Sequence, residues 1–403
     1  MSCRPTSRSC EKRYLASWTQ RLWPSLEPDA MRILVTNEQL DQRAGSDLFI
    51  RDLARGLQEL GHFVIAYSSD TREQSRLLER DSISVATDLD QLPFRPDIIH
   101  ARHHLDAMTA VMALPGVPAI HHCIGPAWSI ALPVHPRIYR YIAPSSGVAG
   151  WIAERGIPVG QIDALHNAID LLRFTRIRQP SPQPRRVLVY DDVLLPDSPA
   201  VIAIGQAAAD LGLKLDLIGR RLGRAVDNPE ARLPDYDIVC ASGRQAIEAL
   251  ACGCAVLLVV APSTCGELVD EGNFDRLRDA DFSVDVESAA ASAENVRKAF
   301  QRYSAELSGR LTAKVRSTCD FSSFVARVDA VYRAAIAMHD GYVEDLGAEQ
   351  QATSAYLQKL SPLIKQRDYA QMMKGFLPST ASMFLDVSAK LAAIQADLDK
   401  PFS

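Results

Sequence analysis

From Arg32 onward, short apolar runs of strand length alternate with segments of helical spacing, and this alternation limits the fold more than any other feature of the chain. Arg32-Ile-Leu-Val-Thr36, Phe63 to Tyr67, Asp97 to His100, Val117 to His121 and Tyr139 to Ala143 read as strands. A helix opens at Gly45-Ser46 and runs to Gly61, with Leu48, Leu53, Leu57 and Leu60 on its apolar side. Strands that alternate with helices predict an α/β fold with doubly wound parallel sheets. Residues 175–186 carry Pro180, Pro182 and Pro184, which can continue neither a sheet nor a helix, and they read as a linker. Beyond them the alternation repeats: strand Arg186 to Tyr190, helix Ala200 to Leu211, strand Lys214 to Ile218, strand Ile238 to Ala241 and a helix that Gly253 ends. The reading is therefore an extension over 1–30, a first domain over 31–174, the linker 175–186, a second domain over 187–340 and a helical tail over 341–403.

The chain has 403 residues, 47% of them hydrophobic and 23% charged, which is ample for two cores. A net charge of −5, with no long run of Lys and Arg, speaks against a nucleic-acid partner. No window has about 18 uninterrupted apolar residues, so no membrane span is expected, and peripheral membrane contact stays open. Residues 1–30 lack the apolar core of a secretory signal and read as an extension that adds nothing to stability. Eight cysteines are scattered without zinc-ligand or disulfide spacing, several inside apolar segments. They read as buried thiols of a protein in a reducing, cytoplasmic setting. Histidines gather near the strand ends of the first half, at 100, 103, 104, 121 and 122, without the spacing of a metal site. The loop after the first strand lacks G-x-G-x-x-G, which speaks against a dinucleotide cofactor.

The stretch from Asp235 to Val260 carries the chemistry. Ser242 with Gln245 fits an S-x-x-Q capping box at the start of a helix just beyond a strand's carboxyl end, where amides left free favour an anion. Arg244 in the first turn opposes the helix dipole by roughly 0.3–1 kcal/mol unless something negative sits beside it. A diphosphate would supply that charge. Glu248, four residues on, shares its side of the helix and can accept hydrogen bonds from a sugar diol. Spacing alone fits equally well an ordinary helix with an Arg244–Glu248 surface pair.

Several segments in order complete the picture: Met31 to Thr36 with Gly45-Ser46, Glu59-Leu-Gly-His-Phe-Val64, Pro96-Asp-Ile-Ile-His100, Ala143-Pro-Ser-Ser146, His166-Asn-Ala-Ile-Asp170 with Arg173-Phe174, and Glu248-Ala-Leu-Ala-Cys-Gly253. Over roughly residues 31–340 the chain resembles the retaining, nucleotide-sugar-dependent glycosyltransferases of family four. The resemblance implies a GT-B architecture, two Rossmann-like domains facing a cleft, here followed by C-terminal helices. It implies metal-independent transfer of a sugar from a nucleotide-sugar, used as substrate and not as a resident cofactor. The acceptor would be a glycan, a lipid-linked or a small molecule, and the pathway one of cell-surface or extracellular glycan synthesis. It also implies a donor site at Ser242, Gly243, Arg244, Gln245 and Glu248, with Gly219 and Arg220 after the strand that ends at Ile218. Gly45, Ser46, Gly125, Ser145 and Asn167 fall on the acceptor side, and His122 and Glu248 are the expected catalytic pair.

Three positions depart from the family pattern. Cys240 stands eight residues before Glu248, where the family has a second acidic residue; Ile124 stands where a histidine is usual; and Asp191-Asp192 replace a basic pair. These departures leave open a nucleotide-sugar-binding or scaffold protein without turnover, and a nucleotide-sugar epimerase of the same architecture.

Overall fold

A computed structural model describes residues 29–38, 40, 45–70, 78, 81–125, 132–224, 226, 228–259, 261–282 and 289–366. The 1–30 extension lies almost wholly outside them, as does the end of the helical tail. Residues up to 132 together with 137–344 make one compact unit, which carries both large sheets. Residues 133–136 with those from 345 onward make another, in which 346–366 are helical.

The first sheet has the order β3-β2-β1-β4-β5-β6-β7, all parallel. Its strands are β1 (Arg32–Thr36), β2 (Phe63–Tyr67), β3 (Ser84–Ala86), β4 (Ile98–Ala101), β5 (Ala119–His122), β6 (Ile138–Ala143) and β7 (Ile162–Ala164). The helices between them include α1 (Gly45–Glu59), α2 (His104–Ala113) and α3 (Ser146–Ala153). Strands β1, β4 and β5 are buried along nearly their whole length, as continuous apolar runs in a parallel sheet must be when helices cover both faces. Edge strands β3 and β7 were not expected; at three residues each they carry too little pattern to read. In α1, Leu53 and Leu57 are fully buried as expected. Leu60 is not part of that face: it follows the end of the helix and is 49% exposed. The chain turns there through Gly61, at φ +87°, with the amide of His62 donating to the Leu57 carbonyl at 3.0 Å.

The second sheet has the order β11-β10-β8-β9, again parallel: β8 (Arg186–Tyr190), β9 (Lys214–Ile218), β10 (Ile238–Ala241) and β11 (Ala255–Leu258). Helices α4 (Pro199–Asp210) and α5 (Gly243–Ala251) connect its strands. Thr264–Cys265 and Ala289–Ala290 form a small antiparallel pair, β12 and β13, and α6 (Phe274–Asp279) lies between them in sequence. Three helices follow, α7 (Ala293–Gln301), α8 (Ala305–Thr318) and α9 (Phe321–His339).

The last of these departs from the order of the sequence. Phe321, Phe324, Val325, Val328, Tyr332 and Ala335 of α9 pack in the core of the first sheet, with Ile33, Phe49 and Ile120. The chain thus passes twice between the two sheets, and its two crossings run side by side. Ile169 donates to the Cys319 carbonyl and accepts from the Phe321 amide, each at 3.0 Å. Six cysteines, at 123, 240, 252, 254, 265 and 319, are buried free thiols.

Candidate functional site

At the carboxyl end of β10 the chain turns through Ser242, extended at φ −140°, and enters α5 at Gly243, whose φ of +53° suits glycine. The expected capping box does not form, because the Ser242 side chain makes no capping hydrogen bond. One first-turn donor is met by tertiary structure instead: the Gly243 amide donates to the Phe282 carbonyl at 2.7 Å.

Arg244 and Glu248 do share one side of α5, with Nε 3.1 Å from Oε1. They are not a surface pair, since their side chains are only 10% and 2% exposed. Tyr190, at the end of β8, donates its hydroxyl to Glu248 Oε2 at 3.0 Å. Arg173, on the crossing segment, brings Nη2 to 3.8 Å from Glu248 Oε1 and Nε to 3.8 Å from Glu230 Oε2. The negative charge that Arg244 calls for is supplied by α1. Asp52, with a side chain 1% exposed, accepts from Arg244 Nη2 through Oδ2 and from Arg173 Nη1 through Oδ1 at 3.3 Å. Burial pushes the Glu248 carboxyl up, and the two guanidiniums oppose that shift. Burial alone would lower Arg244; Asp52 and Glu248 reverse it and hold the guanidinium charged. Arg173 Nε and Nη2 and Arg244 Nη1 are buried donors without a hydrogen-bond acceptor.

The other residues expected on the donor side sit around this cluster in local roles. At Gly219, φ +157°, an added Cβ would lie 1.7 Å from the Asp191 carbonyl oxygen, so glycine there is required by the close approach of two strand ends. The Arg220 amide donates to Asp192 at 3.0 Å, while its residue lies exposed. Asp191 accepts from the amides of Val193 and Leu194, so the acidic pair in place of the basic one shapes this turn. Gln245 is half-buried. Cys240 is fully buried among Val187, Val189 and Leu257, on the strand face away from Glu248, so an acidic side chain at that position would enter an apolar core.

One expected acceptor-side residue, Asn167, meets the loop after α6. Asn167 donates its amide at 3.1 Å and its side-chain nitrogen to the Asp281 carboxylate. Burial raises Asp281 to about 7, against the pull of Arg278 and Asn167. Asp281 and Phe282 both have left-handed backbones, φ 52° and 50°, a strained pair held by these contacts. Ser145 caps α3, accepting from the Val148 amide at 3.1 Å, and its neighbour Ser146 donates to Asp279. Gly45 and Ser46 begin α1. At Gly125 an added Cβ would meet nothing within 4 Å.

His122 has a different place from the one expected of a catalytic group facing a cleft. It is 3% exposed, its Nδ1 lies 3.2 Å from His100 Nε2, and its ring meets Phe49 edge-on at 5.1 Å. His100 Nδ1 in turn pairs with the Tyr332 hydroxyl at 2.6 Å. Burial lowers both imidazoles well below their usual range, and the charge of Arg102 adds to that. His121, next along β5, points to the other face; burial and the nearby His103, His104 and Arg102 lower it to about 3. No group of three or more His, Cys, Asp or Glu suited to a metal ion occurs among the described residues.

The chain matches known proteins in part of its sequence and in its fold. Residues 44–173 match the family Glycosyltransferase Family 4. A glycosyltransferase from Rickettsia africae superposes with a TM-score of 0.55 at 13% identity, over 76% of this chain and 99% of that one. Anabaena HepE in complex with UDP-glucose gives 0.54 at 14%, over 75% and 100%. A UDP-N-acetylglucosamine 2-epimerase from Listeria monocytogenes, so described as putative in its own structure, gives 0.51 at 12%, over 79% and 99%. At these identities the likeness is one of fold, and the fold is that of the GT-B glycosyltransferases. No curated protein matches the chain significantly.

Sequence reasoning found Arg244 and Glu248 but missed Asp52, Tyr190 and Asp281. A signal existed for Asp52, which lies between the buried apolar Ile50 and Leu53 of α1, where an unpaired carboxylate would be costly. Arg173 was in view only as a motif residue. Nothing in sequence spacing links residue 52 to residue 244.

Proposed function

We propose that this chain is a metal-independent, retaining glycosyltransferase that binds a nucleotide-sugar against α5 and passes the sugar to an acceptor held beside the first sheet. One observation carries the reading. Arg173 and Arg244 stand side by side at the carboxyl edge of the second sheet, with donors unmet and Glu248 beside them. In this role the guanidiniums stabilise the charge that grows on the departing diphosphate, which is the largest electrostatic task in such a transfer. Glu248 accepts from the ribose hydroxyls, and the acceptor hydroxyl attacks the anomeric carbon on the face from which the diphosphate departs, the C–O bond to the diphosphate breaking as the hydroxyl proton passes to the leaving diphosphate oxygen. Asn167, Ser145 and Gly125 line the acceptor side. The match of residues 44–173 to glycosyltransferase family 4 supports the reaction class, and HepE, a protein of the same fold, binds UDP-glucose.

A second reading is favoured by a specific observation: Asp52 and Glu248 already neutralise both guanidiniums, as expected of a binding or scaffold protein without turnover. Calorimetric titration with UDP, GDP and ADP, followed by a diphosphate-release assay over a panel of nucleotide sugars, separates the two. Binding with release supports the transferase. Binding without release moves the assignment to the scaffold, and epimer formation without release moves it to an epimerase. Absence of any nucleotide binding removes the donor site from α5.

A further inference from the structure

Asp52 belongs to α1, beside the first sheet, yet its two oxygens lie on the guanidiniums of Arg173, on the crossing segment, and of Arg244, on α5 of the second sheet. A small oxyanion bridging paired arginines is the geometry in which proteins hold phosphates. The carboxylate does not use all that the arginines offer. Arg173 Nε and Nη2 and Arg244 Nη1 remain without acceptors, whereas an anion with more oxygens than a carboxylate would meet them. Charge sets the order of events. Arg173 and Arg244 face Asp52, Glu248 and, at 3.8 Å, Glu230, so a diphosphate cannot join this set without displacing a carboxylate. Glu248 is fixed within α5 and bonded by Tyr190; Asp52 is the one that comes from the facing helix.

There is a place for Asp52 to go. A pocket of about 240 Å³ opens beside it, lined by Asp52, Arg55, Gly56, Asp170, Phe321 and Val325 among others. Arg55 lies three residues on along α1, within reach of the Asp52 side chain, and makes no ion pair among the described residues.

We infer that Asp52 is an internal stand-in for the diphosphate: it closes the Arg173–Arg244 pair in the ligand-free chain, and a nucleoside diphosphate displaces it toward Arg55, loosening α1 from α5. This rests on the reading of α5 as the donor site. The ligand-free protein is then latched, and its apparent affinity is reduced by the fraction of time the latch is open.

The test titrates UDP and inorganic pyrophosphate into the wild type and Asp52→Asn by calorimetry. Asp52→Asn is expected to bind both about tenfold more tightly, the gain for a latch closed about 90% of the time. Arg55→Gln, which withdraws the receiving partner, is expected to bind severalfold more weakly. Equal affinities across the three proteins overturn the latch and leave the donor site standing; no binding by any of them overturns both. Should Asp52→Asn fail to fold, hydrogen exchange on the wild type decides. UDP is expected to speed exchange in residues 48–59, and unchanged or slower exchange there sinks the inference.

Discussion

The carboxyl edges of the two sheets bury polar groups by opposite means. Beside the first sheet, His100, His122 and Tyr332 form a chain of hydrogen bonds whose titratable members are held neutral by burial. Beside the second, Asp52, Arg173, Arg244 and Glu248 form a cluster of ion pairs set against one another. The neutral chain avoids the cost of burying charge but is vulnerable to protonation. The ionic cluster depends on every partner, because a lone buried charge is far more costly than a matched pair.

The largest expected effect breaks the ionic cluster. Arg244→Met leaves Asp52 and Glu248 buried with Arg173 as their remaining cation, and is expected to cost about 3–5 kcal/mol of stability, read by urea unfolding. A loss below about 1 kcal/mol, the range of an exposed pair, would show that the cluster is open to solvent.

Next comes the neutral chain. His100→Phe leaves the Tyr332 hydroxyl and His122 Nδ1 without their partner, and is expected to cost about 1–3 kcal/mol at pH 7. The pH dependence carries a sign. A histidine whose folded pKa lies below its unfolded value of about 6.5 contributes stability that is present above that pH and is lost as the pH falls toward the folded pKa. Wild-type melting temperature should therefore fall from pH 7 to pH 5, and His100→Phe should flatten that fall. An unchanged slope would assign the acid sensitivity to other groups.

The smallest effect sharpens the comparison, because Asp281 lies beside the N-terminus of α5 but behaves like the neutral groups. Its folded pKa is raised to about 7. The stability it contributes is fully present below the unfolded value near 4 and is lost as the pH rises through 7, the opposite sign to the histidines. Asp281→Asn should be more stabilising at pH 8 than at pH 5, as read by thermal unfolding at the two pH values. A loss at both would mean that the charged carboxylate is what Asn167 holds.

Strand and helix periods were legible in the sequence because they are local. β1, β2, β8, β9 and β10 lie where the apolar runs put them, and α5 ends before Gly253, whose φ of +92° stops a helix. The three-residue edge strands were illegible, being defined by pairing more than by pattern. The capping box does not form, and the first-turn amide of Gly243 finds its acceptor in Phe282, thirty-nine residues on, a contact that exists only in the folded chain.

At the candidate site the sequence by itself determined that Arg244 and Glu248 share a helix side at a strand's end, since a four-residue spacing fixes that whatever surrounds it. Whether the pair would be an exposed ornament or the centre of a buried ionic cluster was decided only by tertiary structure. That choice depends on α9 returning to the first sheet and on α1 carrying Asp52 to within hydrogen-bond distance of Arg173 and Arg244. The same holds for His122, whose position at a strand end was readable while the face it occupies, against Phe49 and His100, was not. Local spacing encodes direction along an element; burial and charge partners are set by contacts between residues far apart in the chain, and no local pattern records them.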